Sequence, residues 1–157
     1  MSMNTKKIII YTDGAARGNP GPAGWAAVLI NGKDVFEMGG SSPHATNNQM
    51  ELSAPIEALK YLLKNKKMMP VQIFSDSKYV VLGITEWIFG WQKNNWRNAA
   101  KKPVLNKELW EELFDLSQKF KISWAYVEGH AGDKWNERAD EIATSFADGN
   151  KTKFQNG

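Results

Sequence analysis

Cysteine is absent from this chain of 157 residues, and histidine occurs only twice. Disulfide bonds, thiolate zinc sites and cysteine nucleophiles are therefore excluded. No apolar run approaches the roughly 20 residues that cross a bilayer. The opening MSMNTKKIII passes directly from lysines into an apolar run, without the cleavage site of a signal peptide. We therefore expect a soluble, cytoplasmic protein that makes no membrane contact.

One globular domain accounts for the length and the composition. Hydrophobic residues make up 42% of the chain, which is enough for a single core at this size. The formal net charge of +3 is only a weak indication of an anionic partner. Because neither a repeat nor a linker is present, we expect one domain over residues 1–149 and a flexible polar tail over residues 150–157. We expect a monomer without an obligate protein partner.

The first third of the chain predicts three strands. The stretch IIIYTD, residues 8–13, is typical of a buried strand that ends at Asp13. The segments AGWAAVLI, residues 23–30, and DVFEMGG, residues 34–40, flank an Asn-Gly pair, which is a strong hairpin signal. Three consecutive strands therefore predict an antiparallel meander.

Helices and strands alternate in the rest of the chain. Thr46 is a candidate N-cap for a helix whose apolar residues recur at helical spacing. The further elements are strand 71–76, helix 77–88, a helix striped by Leu109, Leu113, Leu116 and Phe120, strand 121–127, and a last helix lined by Trp135, Ala139, Ile142 and Phe146. The order β-β-β-α-β-α-α-β-α predicts an α/β fold, a mixed five-stranded sheet with helices on both faces.

Four acids occupy positions that favour a metal site. Asp13 and Asp76 each end a predicted strand, and sites of open α/β sheets lie where strand ends meet the following loops. Glu51 and Asp140 lie on helices, beside apolar stripes. Each acid alone could be a helix cap or a surface residue, since acids are mostly exposed. Together they favour a hard cation such as Mg²⁺ or Mn²⁺, which prefers oxygen ligands.

Four sequence blocks resemble, in order and spacing, the signature motifs of ribonuclease HI: YTDGAARGNPGPAGWA, TNNQMEL, SDSKYV and GHAGDKWNERADEIA. The match covers roughly residues 6–147. The resemblance implies an RNase H-like fold and endonucleolytic hydrolysis of the RNA strand of RNA–DNA hybrids, leaving 5′-phosphate and 3′-hydroxyl ends. It implies a catalytic, metal-binding tetrad for two Mg²⁺ ions, with Mn²⁺ as an alternative, and a mobile catalytic histidine. These residues are Asp13, Glu51, Asp76, Asp140 and the histidine His130.

The chemistry of these residue types supports the implied mechanism. Phosphodiester hydrolysis needs an activated water and a stabilised leaving oxygen, and two divalent ions about 3.5–4 Å apart can serve both. The loop after Asp13 lacks the Lys-Ser/Thr pair and the glycine spacing of nucleotide-binding loops, so Asp13 would hold a metal ion instead. His130 lies among Gly129, Ala131 and Gly132, in an open segment, and imidazole titrates near neutrality. A solvated surface histidine is the alternative.

The segment 87–107 carries five cations and no acid. Its tryptophans are interleaved with the cations, a pattern that suits the phosphates and bases of a nucleic acid. A solvated basic face with core tryptophans is the alternative. The segment resembles the basic protrusion with which bacterial family members hold the DNA strand. The expected contacts are Trp87, then Trp91, together with Lys93, Arg97, Lys101 and Lys102.

Short polar residues near the acids complete the predicted binding surface. By resemblance, Asn19, Asn48 and Gln49 contact the hybrid, and Thr46 lies near a DNA phosphate, with helix capping as the alternative for Thr46. Asn47 is expected to contact the substrate beside Asn48. The enzyme would recognise backbone shape and the 2′-hydroxyls of the strand to be cut.

Three residues depart from the family's usual pattern. Pro55 lies inside the helix of Glu51 and could change the aim of its carboxylate by a kink. Glu128 stands where a basic residue is commoner, and Gly90 where bacterial relatives often carry a polar side chain. A non-catalytic hybrid-binding module is the alternative function, disfavoured because all four acids are present. Another two-metal nuclease of this superfold, such as an integrase or resolvase, would lack the four-block match.

Overall fold

The computed structural model describes residues 6–129, 132–150 and 152–156. Its strands are β1 (Ile8–Ala16), β2 (Gly21–Asn31), β3 (Asp34–Ala45), β4 (Val71–Ser75) and β5 (Ile122–Tyr126). They form one five-stranded sheet in the order β3-β2-β1-β4-β5. The first three strands are antiparallel, and β4 pairs in parallel with both β1 and β5. The predicted meander and mixed sheet are confirmed.

Helices cover both faces of this sheet, as predicted. The helices of the described residues are α1 (Asn47–Lys64), α2 (Lys78–Leu82), α3 (Ile88–Lys93), α4 (Lys107–Ser117) and α5 (Lys134–Ala147). Successive side chains of β2 point to opposite faces of the sheet and so contribute to two apolar layers. Ala27 and Leu29 pack with the apolar residues of α1 and α4 on one face. Ala26 and Val28 pack with α5 on the other face. Within the described ranges, every helix is too short or too polar to span a membrane.

Strand β1 continues beyond the point where the sequence predicted its end. Thr12 is the last β1 residue that pairs with β4, but β1 stays paired with β2 as far as Ala16. The chain then turns tightly, and the Arg17 amide donates to the Pro22 carbonyl at 2.7 Å. Asp13 therefore lies within the strand and is buried, rather than emerging at the strand's end. The error arose because glycine and alanine weaken the strand pattern, while pairing with β2 maintains the strand.

The helix predicted over residues 77–88 is longer and irregular. α2 and α3 are joined by a π-helical turn, Gly83–Trp87, so the helical segment extends to Lys93. Gly83 is buried against Trp110 of α4, and a Cβ at Gly83 would overlap the indole ring. This close packing depends on the tertiary structure, and the period of the apolar residues therefore did not reveal it.

The last described segment, residues 152–156, differs from the frayed tail that the sequence predicted. Phe154 packs against Phe146 of α5, with ring centroids 6.0 Å apart. The amide of Gln155 donates to Glu37 of β3 at 2.7 Å. The segment's polar composition predicted fraying; Lys153, Gln155 and Asn156 are exposed, yet main-chain and asparagine hydrogen bonds attach the segment to the domain.

Candidate active site

Asp13 and Asp76 meet at the carboxyl end of the parallel strand pair β1–β4. The last pair between these strands is Thr12 with Ser75. Asp13 directly follows Thr12 in the chain, and Asp76 directly follows Ser75. Glu51 reaches the same place from the first turns of α1. One carboxylate oxygen from each of these three acids lies within 4.8 Å of the other two. The structure therefore brings together three of the four acids predicted from the sequence at ligand-forming distance.

Glycine at position 14 allows Glu51 to come this close. A Cβ at Gly14 would overlap the Glu51 nitrogen and would lie 2.5 Å from the Met50 carbonyl carbon. The backbone of α1 therefore packs directly on β1, which a larger residue would prevent. Pro55 lies further along α1, yet the helix continues through it from Asn47 to Lys64 and Glu51 still faces the other acids.

Burial and mutual repulsion favour the protonated forms of Asp13 and Glu51 when no cation is bound. Asp13 is 3% exposed and Glu51 is 6% exposed. Burial raises the pKa of Asp13, and the charges of Glu51 and Asp76 raise it further. Burial and then the charge of Asp76 raise the pKa of Glu51. Glu51 Oε1 is buried without a hydrogen-bond partner among the described residues. An all-oxygen donor set with an unpaired buried oxygen fits a hard divalent cation.

Asp140 approaches the cluster from α5. Hydrogen bonding with Asp140, together with its charge, contributes to the raised pKa of Asp13. Sequence reasoning missed a second residue on this helix, the buried Asn136, whose Nδ2 donates to Asp76 Oδ2 at 3.4 Å. Asn136 lies one turn before Asp140, and this i, i+4 spacing was the signal that could have identified it.

His130 and Ala131 lie outside the described residues, so the role predicted for His130 stays a prediction. The preceding residue, Gly129, lies against the cluster, since a Cβ on it would be 3.0 Å from Asp76 Oδ2. Glu128 is exposed. The segment that leads to His130 therefore passes beside the acids.

The turn before β2 and the start of α1 are held together by a hydrogen bond. Asn19 Oδ1 accepts from the Asn47 amide at 2.9 Å, and Asn19, Asn47 and Asn48 are exposed. Thr46 and Gln49 form a reciprocal capping box. Thr46 Oγ1 accepts from the Gln49 amide at 3.1 Å, and Gln49 Oε1 accepts from the Thr46 amide at 2.8 Å. The capping interpretation of Thr46 is confirmed. Thr46 Oγ1 and Gln49 Oε1 already accept hydrogen bonds within this cap.

The basic protrusion, defined here as residues 87–107, contains one exposed tryptophan and two that are partly buried. Trp87 is 41% exposed. Trp91 is partly buried, and its ring contacts those of Trp87, Trp96 and Trp110. Trp91 thus stabilises the base of the protrusion. Exposed cations lie beyond it: Lys93, Arg97, Lys101 and Lys102.

The tip of the protrusion is shaped by its own hydrogen bonds. Arg97 Nη1 donates to the Lys101 carbonyl at 3.0 Å, and Asn98 Oδ1 accepts from the Lys102 amide at 3.0 Å. A groove lined by residues that include Asn48, Trp91 and Leu105 connects the tip with the start of α1. Leu105, which sequence reasoning did not single out, is 80% exposed.

Comparison with protein families gives a match over almost the whole chain. The family model described as RNase H matches residues 5–148. The ribonuclease H of Erythrobacter litoralis (strain HTCC2594) is 49% identical over 143 residues, which cover 91% of this chain and 97% of that protein. The ribonuclease H of Bradyrhizobium sp. (strain ORS 278) is 52% identical over 136 residues, covering 87% and 86% of the two chains.

Solved structures agree with this match. LC9-RNase H1, described as a type 1 RNase H with the type 2 active-site motif, superposes with a TM-score of 0.85 at 25% identity, covering 100% of this chain and 80% of that one. LC11-RNase H1, solved in complex with an RNA/DNA hybrid, has a TM-score of 0.68 at 29% identity, with coverages of 90% and 97%.

Proposed function

This chain belongs to the ribonuclease H family, and from that premise we propose that it is an endoribonuclease that hydrolyses the RNA strand of RNA–DNA hybrids. The observation that carries the proposal is the cluster of Asp13, Glu51 and Asp76, with three carboxylate oxygens within 4.8 Å of one another. Buried acids at this distance destabilise the metal-free chain, because they repel one another when ionised and must take up protons to avoid that repulsion. The relative LC11-RNase H1, solved with an RNA/DNA hybrid, supports the choice of substrate.

Two divalent cations, Mg²⁺, or Mn²⁺ as a possible substitute, would be held by Asp13, Glu51, Asp76 and Asp140. When bound, such ions supply activation of the attacking water and stabilisation of the leaving oxygen. The protein prepares their ligands in advance. The Gly14 amide donates to Asp13 Oδ1 at 2.9 Å, and Asn136 donates to Asp76 Oδ2 at 3.4 Å, so both carboxylates are oriented from behind.

Proton transfer is assigned to His130. Its imidazole nitrogen would exchange a proton with the reacting phosphate and then with solvent. Gly129, beside Asp76, brings the segment near the cluster. Hydrolysis would leave a 5′-phosphate and a 3′-hydroxyl.

Substrate binding is assigned to two surfaces that flank the cluster. Asn19, Asn47 and Asn48 are exposed at the start of α1 and suit the sugar–phosphate backbone, where 2′-hydroxyls distinguish RNA from DNA. The exposed Trp87 and the cations of the basic protrusion suit the DNA strand. We assign Trp91 to support of this surface, since three neighbouring tryptophans pack against it.

The test uses a hybrid whose two strands carry different labels. In Mg²⁺, the protein should cut the RNA strand only and should leave duplex RNA and the DNA strand intact. Asp13→Asn should abolish cleavage, whereas Asp115→Asn, at an exposed acid on α4, should not. Cleavage of the DNA strand, or hybrid binding without any cleavage, would contradict the proposal. Sedimentation or gel filtration of the same sample checks the further proposal of a monomer, and cell fractionation checks a cytoplasmic location.

A further inference from the structure

A buried ion pair ties α5 to β3 two residues away from Asp140. Glu37 of β3 is 1% exposed. Arg138 of α5 grips both of its carboxylate oxygens, with Nε donating to Oε2 at 2.7 Å and Nη2 donating to Oε1 at 2.8 Å. A bidentate pair of this kind fixes orientation as well as distance. It therefore fixes the rotation of α5 relative to the sheet.

The segment 152–156 completes the hydrogen bonding of both members of this pair. The Gln155 amide donates to Glu37 Oε1 at 2.7 Å, and Arg138 Nη2 donates to the Lys153 carbonyl at 2.9 Å. Asn156 Oδ1 accepts from the Glu37 amide at 2.6 Å, and Asn156 Nδ2 donates to the Glu37 carbonyl at 3.3 Å. The side-chain amide of Asn156 thus hydrogen-bonds both main-chain groups of Glu37 in the edge strand β3.

The same segment holds the second half of α5. The Thr152 amide donates to Ser145 Oγ at 3.1 Å. Phe154 packs with Phe146 in the apolar layer between α5 and the sheet. The segment therefore crosses from the end of α5, over that helix, to β3.

We propose that residues 152–156 are a strap that positions Asp140 beside Asp13 by holding α5 against β3. The strap rests on the proposed function in one respect, since it takes Asp140 as a metal ligand. Groups that orient a ligand from behind commonly change the affinity for the metal. Asn156 and the Gln155 amide are positioning groups in this scheme, because they act on Asp140 through Glu37, Arg138 and the helix.

The test measures Mn²⁺ binding directly by isothermal titration calorimetry, without substrate. A chain that ends at Asn150 should bind Mn²⁺ about 10-fold more weakly than the parent. Gln155→Pro removes the amide donor and should weaken Mn²⁺ binding in the same direction. Gln155→Ala is the matched control, since it keeps the amide, and should bind like the parent. If the shortened chain does not fold, Asn156→Ala provides a milder removal of two hydrogen bonds.

A double-mutant cycle assigns the effect to Asp140. In an Asp140→Asn background, shortening the chain should cause no further loss of Mn²⁺ affinity, because the positioned ligand is already gone. An equal further loss there would overturn the proposal. So would a shortened chain that melts at a lower temperature but keeps the parental Mn²⁺ affinity, which would make the segment a stabilising element only. Absence of Mn²⁺ binding in the parent would instead overturn the metal site itself.

Discussion

At the scale of single residues, the acids of the site repel one another, so the catalytic role that we propose for Asp13 opposes the stability of the metal-free protein. Its ordinary pKa is 3.8, and burial followed by the charges of Glu51 and Asp76 raises the pKa in the folded, metal-free protein. The unfolded chain therefore loses the proton at lower pH than the folded chain. Stability is unaffected below the ordinary pKa and falls as the pH rises above it, until the raised folded pKa is passed.

Asp13→Asn should raise the melting temperature of the protein in EDTA at pH 8, because the amide is neutral and folding no longer has to take up a proton, while the amide oxygen can still accept from the Gly14 amide. The gain should disappear as the pH falls to the ordinary pKa of 3.8 and below, where the unfolded parent binds this proton as well. Melting curves over that pH range, with Asp115→Asn as the exposed control, measure the effect. A lower melting temperature for Asp13→Asn at every pH would contradict the clustering. In Mg²⁺, the same variant should be inactive.

Glu37 shows the opposite linkage. Hydrogen bonding from Arg138 lowers the pKa of Glu37, against its burial. The ionised pair stabilises the fold above the ordinary pKa of the glutamate, and this stabilisation is lost as the pH falls through the lowered folded pKa. Glu37→Gln should reduce the free energy of unfolding by about 3 kcal/mol at pH 7, since it leaves Arg138 without its carboxylate.

The difference between parent and Glu37→Gln should shrink as the pH falls below about 4. Urea unfolding at several pH values measures it. Glu141→Gln is the control, because the Glu141 side chain pairs with the same arginine but is 62% exposed. Its effect should stay within about 0.5 kcal/mol. Equal losses of unfolding free energy in the two variants would show that burial of the Glu37–Arg138 pair adds nothing to stability.

His130→Ala separates chemistry from binding. The variant should lower kcat by roughly 100-fold, as expected for a lost acid–base group, with little change in hybrid affinity. Steady-state kinetics on a labelled hybrid provide both values. A raised KM with parental kcat would make His130 a binding residue instead.

Sequence reasoning found the acids because their positions relative to strands and apolar stripes are local properties of the chain. It missed Asn136 and the Glu37–Arg138 pair, since each depends on which elements become neighbours. Arg138 and Glu37 are 101 residues apart in the chain. No periodicity within β3 or α5 indicates that such distant residues meet.

At the scale of elements, glycine has opposite effects in the two parts of the helical segment 78–93. Gly90 lies in α3, and a Cβ at this position would meet no heavy atom within 4 Å in the described part of the chain apart from its chain neighbours and its own helix backbone, whereas Gly83 lies against Trp110. Gly90→Ala should therefore raise the free energy of unfolding by about 0.5–1 kcal/mol, because alanine loses less backbone entropy in a helix. Gly83→Ala should lower it. Urea unfolding of both variants measures the contrast, and a destabilising Gly90→Ala would contradict the open surface at α3.

The same elements show where sequence prediction stops. Helix and strand identities were predictable from apolar spacing, and the N-cap at Thr46 from its residue type. The ends of β1 and β3 were not, because hydrogen bonds to β2 extend both strands through residues with weak strand propensity. The π turn at Gly83–Trp87 likewise depends on packing with α4.

At the scale of the whole molecule, the charge is unevenly distributed. The formal net charge is +3, yet the basic protrusion alone carries five cations without an acid. The carboxylate cluster lies at the carboxyl end of the β1–β4 pairing, so the molecule combines an acidic centre with a positive flank. A polyanionic duplex could bind the flank while metal ions neutralise the centre.

This arrangement predicts that the protrusion contributes affinity, while the carboxylates supply catalysis. If two or three of Lys93, Arg97, Lys101 and Lys102 contact phosphates, replacing all four by glutamine should flatten the slope of log KM against log salt by roughly 2–3 units, at about 0.9 per lost contact. The kcat at saturating hybrid should stay near parental.

A matched variant replaces four exposed lysines near the opposite end of the sheet, Lys6, Lys33, Lys64 and Lys67, and should keep the parental slope. Trp87→Ala should raise KM without changing the slope, because an aromatic contact releases no counterions. If the protrusion variant also keeps the parental slope, its cations are a solvated face, and hybrid binding depends on the loops around Asn19 and Asn48.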